Sequence, residues 1–409
     1  MTCGLLVPLS LAAGEWPQFR GPGGQGHAET QSMPLSFGKT ENVRWATDLP
    51  GTGWSSPVVL EGQVWMTTAV DNGKSLRVLG VDLETGKLLH NVEVFAPQIP
   101  VPINPTNSFA SPTPVVEPGR VYVSFGAMGM ACLSTQTGEV LWRNEELKID
   151  HMEGPGSSPI LFENLVILNC DGMDQQYVVA LDTETGKPVW KTDRSAPFRD
   201  NPDHRKAYST PLVIDVGGEL QLVSIGADQV QGYDPRTGRE LWQVRFRGFS
   251  CVPRPLYDGG LLYSVVDYGR PELLALRTGG RGDVTESHIA WKFNRQVPAS
   301  PSPILVDGRI YMTSNKGVVS CIDGTTGDTV WQERLGGNYS ASPVYAAGRL
   351  YFASQEGKIA VFEPGSEFRL LAENDLDEKI MASPAVVDGS LIVRTATKLY
   401  RFEGAKSTE

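Results

Sequence analysis

Reactive and metal-binding side chains are scarce in this sequence. Its 409 residues include only five cysteines and five histidines. The cysteines form no CxxC motif, no adjacent pair and no Cys/His cluster with zinc spacing. The sequence therefore predicts neither a disulfide framework nor a metal site. The cysteines are Cys3, Cys132, Cys170, Cys251 and Cys321.

Basic charge and long amphipathic helices are lacking as well. Only 20% of the residues are charged, and the formal net charge is -11. An acidic surface repels polyanions, so we expect no nucleic-acid partner and no anionic membrane partner. The 44 glycines and 29 prolines supply many turns and favour a β-rich protein.

No hydrophobic run is long enough to span a membrane. The apolar stretch within residues 1–14 is about half the roughly 20 residues that a span requires. We interpret it as the remnant of a signal peptide whose basic first part is missing, and predict an exported protein, periplasmic or extracellular. The alternative is the frayed N-terminus of a cytoplasmic protein.

Eight copies of one pattern fill most of the chain. Each copy has Ser/Thr-Pro before apolar residues, then Gly-x-apolar-aromatic, an Asp, Thr-Gly and Trp. The average spacing of about 47 residues matches a four-stranded propeller blade. We place the starts at Ser56-Pro57, Thr113-Pro114, Ser158-Pro159, Thr210-Pro211, Val252-Pro253, Ser302-Pro303, Ser342-Pro343 and Ser383-Pro384.

Three recurring positions have structural explanations. The Asp before each Thr-Gly, such as Asp182, is expected to hydrogen-bond turn amides. The tryptophans of the outer strand, such as Trp190, should dock on the next blade. His90 replaces the first of them, and Phe368 or Leu370 the seventh. Two positions before the Asp lies a column of small residues, which makes its two cysteines buried structural thiols: Gly80, Cys132, Ala180, Gly232, Ala275, Cys321 and Ala360.

The eighth copy ends near Phe402 without an outer strand, and a ring cannot close with an open strand edge. The segment Asn42-Val43-Arg44-Trp45 is similar to the outer strands of the other copies. We therefore predict that it completes the last blade, giving a single all-β, eight-bladed propeller over residues 42–403. Residues 15–41 would be an extension that packs on the propeller, and residues 404–409 a disordered tail.

The segment Ala-Leu-Asp-Thr-Glu-Thr-Gly-Lys-Pro-Val-Trp at residues 180–190 closely resembles the PQQ-like repeat. That family includes quinoprotein dehydrogenases and the outer-membrane assembly factor BamB. The resemblance extends from Trp45 to Phe402 and implies the propeller fold, but the repeat encodes blade packing rather than a function. The leader Trp-Pro-Gln-Phe-Arg-Gly-Pro at residues 16–22 resembles the N-terminal segment of secreted family members.

Loops on one face of the ring are the expected place for a ligand. The outer-to-inner connections of the early blades, residues 90–111, 143–157 and 191–209, are unusually long. Residues 191–208 and 243–254 are rich in Arg and Lys, which suggests a basic rim suited to an anionic ligand or an acidic partner surface. Solvated loop charge is the simpler explanation. Our candidate ligand or partner residues are His151, Glu153, Arg199, Asp203, His204, Arg205, Arg254 and Arg295.

Catalytic machinery is not visible in the sequence. A PQQ-dependent dehydrogenase requires arginines for the quinone carboxylates, oxygen ligands for calcium and a carboxylate base. The resemblance implies an adjacent cysteine pair beside the quinone, and none is present. We therefore predict no catalytic residue, no metal and no cofactor, and expect a monomeric binding or protein-interaction scaffold similar to BamB. The alternative is a PQQ-dependent dehydrogenase that holds PQQ and calcium, with Arg254 and Glu153 as its weak site candidates.

Overall fold

The computed structural model describes residues 14–404 and shows eight four-stranded antiparallel sheets, as the repeats predict. The expected signal remnant and all but Gly404 of the expected tail lie outside the described residues. Four blades in chain order comprise Val58–Leu60, Gln63–Val70, Ser75–Asp82 and Leu88–Phe95; Val115–Glu117, Arg120–Ser124, Met130–Ser134 and Val140–Asn144; Ile160–Phe162, Leu165–Asp171, Gln176–Asp182 and Pro188–Asp193; and Leu212–Val216, Glu219–Gly226, Gln229–Tyr233 and Glu240–Arg245.

The remaining blades follow the same inner-to-outer order, so that sequence neighbours are hydrogen-bonded neighbours within each sheet. They comprise Leu256–Asp258, Leu261–Val266, Glu272–Arg277 and Ile289–Phe293; Ile304–Val306, Arg309–Thr313, Val318–Asp323 and Thr329–Arg334; Val344–Ala346, Arg349–Ala353, Lys358–Glu363 and Arg369–Asp375; and Ala385–Val387, Ser390–Arg394, Lys398–Glu403 and Val43–Asp48.

Helices are short and peripheral in residues 14–404. The single α-helical turn covers Thr285–His288, and no described helix is long and apolar enough to cross a membrane. Two short strands add parallel pairs: His27–Ala28 on blade 7 and Gly282–Asp283 on blade 4. The 3-10 turns are Pro22–Gly24, Asp71–Gly73, Gly126–Met128 and Pro202–Arg205.

The ring closes as predicted, with the N-terminal strand as the outer strand of blade 8. Trp45 pairs with Arg401, and Asp48 pairs with Lys398, in antiparallel register. The Trp45 indole donates to the Leu83 carbonyl of blade 1 at 2.8 Å, so this strand also joins the last blade to the first.

Tryptophans of the outer strands dock on the next blade, as predicted. Trp142 donates to the carbonyl of Thr183 at 2.9 Å, and its ring lies where a Cβ on Gly186 would be. Gly186 has a φ of +68°, so both the turn and the close ring contact require glycine. Trp242 is the exception: its indole bonds Gln221 in its own blade.

One part of the repeat alignment is wrong at blade 7. The strand register pairs Val361 with Ala372 at the position where other blades pair a small residue with Trp, so Val361 replaces the expected Ala360. Ala372, rather than Phe368 or Leu370, occupies the tryptophan position. The shift arises because Glu363 takes the place of the turn Asp and obscures the register. The other six column residues pair as predicted, and both column cysteines are buried.

Candidate functional site

A cavity of about 440 Å³ lies on the propeller axis, within the volume range of ligand sites. Its mouth is formed by the outer-to-inner loops and the second-to-third strand connections, which we call the loop face. This is the face on which the sequence placed a ligand. Aromatic residues of its lining are Phe19, Trp54, Tyr208, Phe249 and Tyr268.

A ring of hydroxyls, the hydroxyl ring, lines the cavity where the inner strands begin. Each oxygen accepts a backbone N–H from the preceding blade; for example, Ser342 donates to Ser383 Oγ at 2.9 Å and Ser383 to Ser56 Oγ at 3.1 Å. These bonds connect the blades around the axis. The ring consists of Ser56, Thr113, Ser158, Thr210, Ser302, Ser342 and Ser383.

The hydroxyl ring is interrupted at blade 5, where the predicted repeat start is wrong. The inner strand begins at Leu256, so Arg254-Pro255 rather than Val252-Pro253 matches the Ser/Thr-Pro of the other blades. Arg254 continues the backbone pattern, since its N–H donates to Ser302 Oγ at 3.0 Å. The Val-Pro dipeptide two residues earlier resembles the repeat more closely than Arg-Pro does, which explains the error.

The leader segment closes the opposite end of the cavity. Trp16 exchanges backbone hydrogen bonds with Val59 of blade 1, and Val116 of blade 2 donates to Pro17 O. The chain then crosses to blade 7, where Tyr345 donates to Gly26 O. Between these anchors the Phe19 ring reaches the cavity and forms its floor.

Three buried arginines surround this floor without a carboxylate partner in residues 14–404. Arg254 donates to Phe19 O at 2.6 Å, Arg20 to Ser302 O at 3.2 Å, and Arg394 to Ser55 Oγ at 2.7 Å. Burial lowers the pKa of each to about 9, and Arg254 adds to the effect on Arg20. All three therefore stay charged at neutral pH. Arg254 is one of the residues that the sequence singled out, and its guanidinium bonds Phe19 and Gln18 of the leader instead of facing the loops.

Two predicted residues line the cavity wall together. Glu153 and Asp203 both bind the ammonium of Lys206, which is 1% exposed and lies 3.1 Å from Glu153 Oε1. Glu153 also accepts from Asn104 at 2.7 Å. Both carboxylates are therefore held by neighbouring donors, and Lys206 is the residue that the sequence reasoning did not single out within this cluster.

The other predicted residues lie outside the cavity lining. Arg199 pairs with Asp228, and Arg205 donates to the Arg199 carbonyl at 2.6 Å, so both stabilise their loop. Arg295 is exposed beside the ring of Phe293. His204 packs on Phe249, 4.3 Å between ring centroids, and so supports one wall from behind.

His151 is buried at the back of the same wall. Its ring meets the Tyr208 ring at 6.2 Å, and burial lowers its pKa. No group of three or more His, Cys, Asp or Glu side chains in residues 14–404 is arranged to hold a metal ion.

Nearby acids pair with half of the predicted basic rim, four of the eight Arg and Lys residues in 191–208 and 243–254. Arg194 forms a fully buried pair with Asp171, and Arg245 lies 3.2 Å from Asp283. A wide groove beside the cavity mouth keeps more positive charge. Its charged lining residues are Arg247, Arg270, Lys292 and Lys316 with Asp267 and Glu272.

Sequence reasoning missed most of the cavity. Trp54, Phe249 and Tyr268 are single aromatic residues in loops of three different blades, with no common motif. The hydroxyl ring did carry a signal, because its members are the Ser/Thr of the repeat itself. The Ser/Thr of each repeat stands at the start of an inner strand, and the inner strands surround the axis. The repeat therefore indicates a ring of hydroxyls on the axis as well as the number of blades.

These features define an eight-bladed propeller of PQQ-like repeats with an axial cavity open at the loop face. A family model described as the outer membrane protein assembly factor BamB matches residues 37–148, 131–225 and 315–407. The chain belongs to this family.

Curated relatives include both BamB proteins and quinone-dependent dehydrogenases. BamB of Yersinia pestis is 24% identical over 163 residues, which cover 39% of each chain. The dehydrogenase subunit of the quinone alcohol dehydrogenase of Komagataeibacter europaeus is 26% identical over 293 residues, 66% of this chain and 35% of that protein. The matches therefore span well under half the length of these two relatives.

Solved structures show the same fold at low identity. BamB from Moraxella catarrhalis superposes with a TM-score of 0.60 at 14% identity, covering 88% of this chain and 99% of that one. Quinohemoprotein alcohol dehydrogenase from Comamonas testosteroni gives 0.67 at 14% identity, with coverages of 97% and 82%. The likeness to both kinds of protein establishes the propeller and leaves the function to the site.

Proposed function

We propose that this chain is an exported, non-catalytic binding protein that docks a protein partner on its loop face. Exposed apolar side chains of the long loops carry the proposal. Ile99 is 86% exposed, Met152 55% and Phe198 54%, and each lies in the outer-to-inner loop of a different blade. Large apolar side chains on one rigid face are typical of protein-binding surfaces.

The family supports the same proposal. The relatives whose names describe them as outer membrane protein assembly factors act, by that description, in assembly outside the cytoplasm. A loop face with apolar side chains and a positively charged groove beside the cavity suits a partner with apolar and acidic surface. We therefore propose a partner with an acidic surface, as the sequence suggested. The positively charged groove, rather than the whole rim, would contact that surface.

The residues present do not fit a calcium-bound PQQ. No arginine side chain is among the cavity-lining residues, the one lining ammonium is held by Glu153 and Asp203, and the described residues offer no cluster of metal ligands. A carboxylate base is also not free, since Glu153 accepts from Lys206 and Asn104. We therefore derive no step through this cofactor.

Paired surface variants test the docking proposal. Met152→Ser with Phe198→Ser should weaken capture of the partner from a periplasmic extract at least tenfold, because it removes two apolar contacts from the loop face. Leu141→Ser with Val189→Ser is the matched control, since these side chains are 48% and 53% exposed on outer strands. Quantitative crosslinking gives the readout. Equal capture by both double variants would contradict the proposal.

The dehydrogenase alternative has its own test. We expect that titration of the purified protein with PQQ and calcium gives no stoichiometric visible absorption band and no dye-linked alcohol oxidation. A stoichiometric, active holoprotein would replace our proposal with catalysis.

A further inference from the structure

We propose that the axial cavity binds a small organic acid, with the carboxylate on the propeller axis against the hydroxyl ring. This inference goes beyond the docking of a protein partner and does not depend on it. It rests on hydrogen-bond donors, buried charge and aromatic walls that converge on one cavity.

The hydroxyl ring supplies the donors. A serine or threonine hydroxyl has one proton to donate and two lone pairs. Each ring oxygen already accepts a backbone N–H, as Thr113 Oγ1 does from Ser56 at 3.0 Å, but no ring hydroxyl donates to an acceptor in residues 14–404. Seven O–H groups at the wall of the cavity therefore need acceptors. A ligand rich in acceptor oxygens, such as a carboxylate, satisfies several of them together.

Uncompensated positive charge lies directly behind this ring. The Arg20 guanidinium donates to the Ser302 carbonyl, the Arg254 guanidinium donates to the carbonyl of Pro211 next to ring residue Thr210, and Arg394 contacts Ser55 next to ring residue Ser56. None of the three arginines has a carboxylate partner in the described chain, although buried charges are normally paired. An anion in the cavity would offset part of the cost of burying this positive charge. The floor thus selects for negative charge on the ligand.

The two carboxylates that line the cavity do not exclude a negatively charged ligand. Glu153 and Asp203 both bind the buried ammonium of Lys206, so that the three groups together carry one net negative charge. The three arginines outweigh that charge. Because Lys206 holds both acids in the outer wall, the floor remains the electropositive end of the cavity.

The aromatic residues of the cavity wall indicate the shape and polarity of the rest of the ligand. Trp54, Tyr208, Phe249 and Tyr268 come from four separate loops and face the same space. Aromatic rings favour a flat or apolar body through stacking and edge contacts. A volume of about 440 Å³ suits a ring-bearing acid rather than a bare inorganic ion. We therefore infer an acid with a carboxylate group and a cyclic body.

Calorimetric titration with benzoate and benzamide tests the charge requirement, because the two probes share one shape. We expect benzoate to bind at least tenfold more tightly at constant ionic strength, and acetate to bind more weakly than benzoate because it lacks the ring. Equal affinities for benzoate and benzamide, or no binding of benzoate at millimolar concentration, would overturn the proposal. The partner-capture experiment is independent of either result.

Variants of the hydroxyl ring test the geometry. Ser302→Ala removes a ring donor from the residue whose carbonyl accepts from Arg20 and should weaken benzoate binding roughly tenfold, while Ser302→Thr keeps the hydroxyl and should restore it. Ser209→Ala is the control, since this buried hydroxyl donates to Pro253 O outside the cavity lining. If Ser302→Ala does not fold, Tyr268→Ala replaces it with Leu370→Ala as control, as the two side chains are 47% and 45% exposed. Unchanged benzoate affinity in the test variant that folds would refute the site.

Discussion

Buried ionisable side chains are concentrated near the propeller axis. The Arg194–Asp171 pair is fully buried, and Ser224 and Gln231 accept the remaining guanidinium bonds. A buried pair of this kind is neutral overall and well satisfied. Arg20, by contrast, bonds only carbonyl oxygens. The two arginines differ in their counter-charge: Arg194 is paired with Asp171, whereas Arg20 is buried without a carboxylate partner in residues 14–404.

His151 gives a pH prediction at the residue scale. Burial lowers its pKa, so the folded protein keeps the imidazole neutral at a pH where the unfolded chain binds a proton. The free energy of unfolding should therefore fall as the pH drops below about 6.5, by at most about 1.4 kcal/mol per pH unit for this residue. Urea unfolding of His151→Gln at pH 7 and pH 5 should show a smaller pH dependence than wild type. Tyr208→Phe is the control, because it alters the ring that His151 contacts and leaves the imidazole in place, and it should keep the wild-type pH dependence.

At the scale of elements, the N-terminal extension of residues 15–41 does more than cover one end of the ring. Blade 7 has Ala372 in place of tryptophan, and blade 8 has no Thr-Gly turn on which a tryptophan could dock. The Phe37 ring packs 4.7 Å from Phe402 of blade 8, and its N–H donates to Asn374 of blade 7 at 2.9 Å. A residue that precedes the closing strand Val43–Asp48 thus fills the junction that the repeat leaves without its aromatic contact.

Phe37→Ala should therefore lower the free energy of unfolding by about 3–5 kcal/mol, the usual range for a buried phenylalanine. Phe37 is 3% exposed, whereas the control, Phe368→Ala, changes a partly exposed ring and should cost less. Urea denaturation measures both. An equal loss in the two variants would contradict the role of Phe37 at this junction.

Local periodicity explains which elements the sequence could predict. The hairpin with Asp182 and Thr185, bonded at 2.8 Å between their side-chain oxygens, repeats the same local chemistry in several blades and was predicted correctly. Phe37 and Arg254 act between segments that are far apart in the chain and that no repeat relates. The errors at Val252 and Ala360 also come from blades where the local pattern is degraded. A single sequence therefore predicts local hydrogen bonds that recur in several blades, but it does not predict a long-range contact that occurs only once.

At the scale of the whole molecule, ring closure makes the blades one cooperative unit. Deletion of residues 1–42 keeps the closing strand Val43–Asp48, and deletion of residues 1–48 removes it. We expect the longer deletion to expose the edge of Lys398–Glu403, broaden or split thermal unfolding, and produce oligomers, because open edges pair with other chains. Calorimetry and light scattering compare the two. Identical single transitions and monomeric behaviour of both would show that the closing strand is dispensable.

The position of the closing strand has a consequence for biosynthesis. Asp48 leaves the ribosome 350 residues before its partner Lys398. The pair forms only after both segments have been made, and such non-local pairing is slow. The edge of Val43–Asp48 therefore stays unpaired while the intervening blades are synthesised.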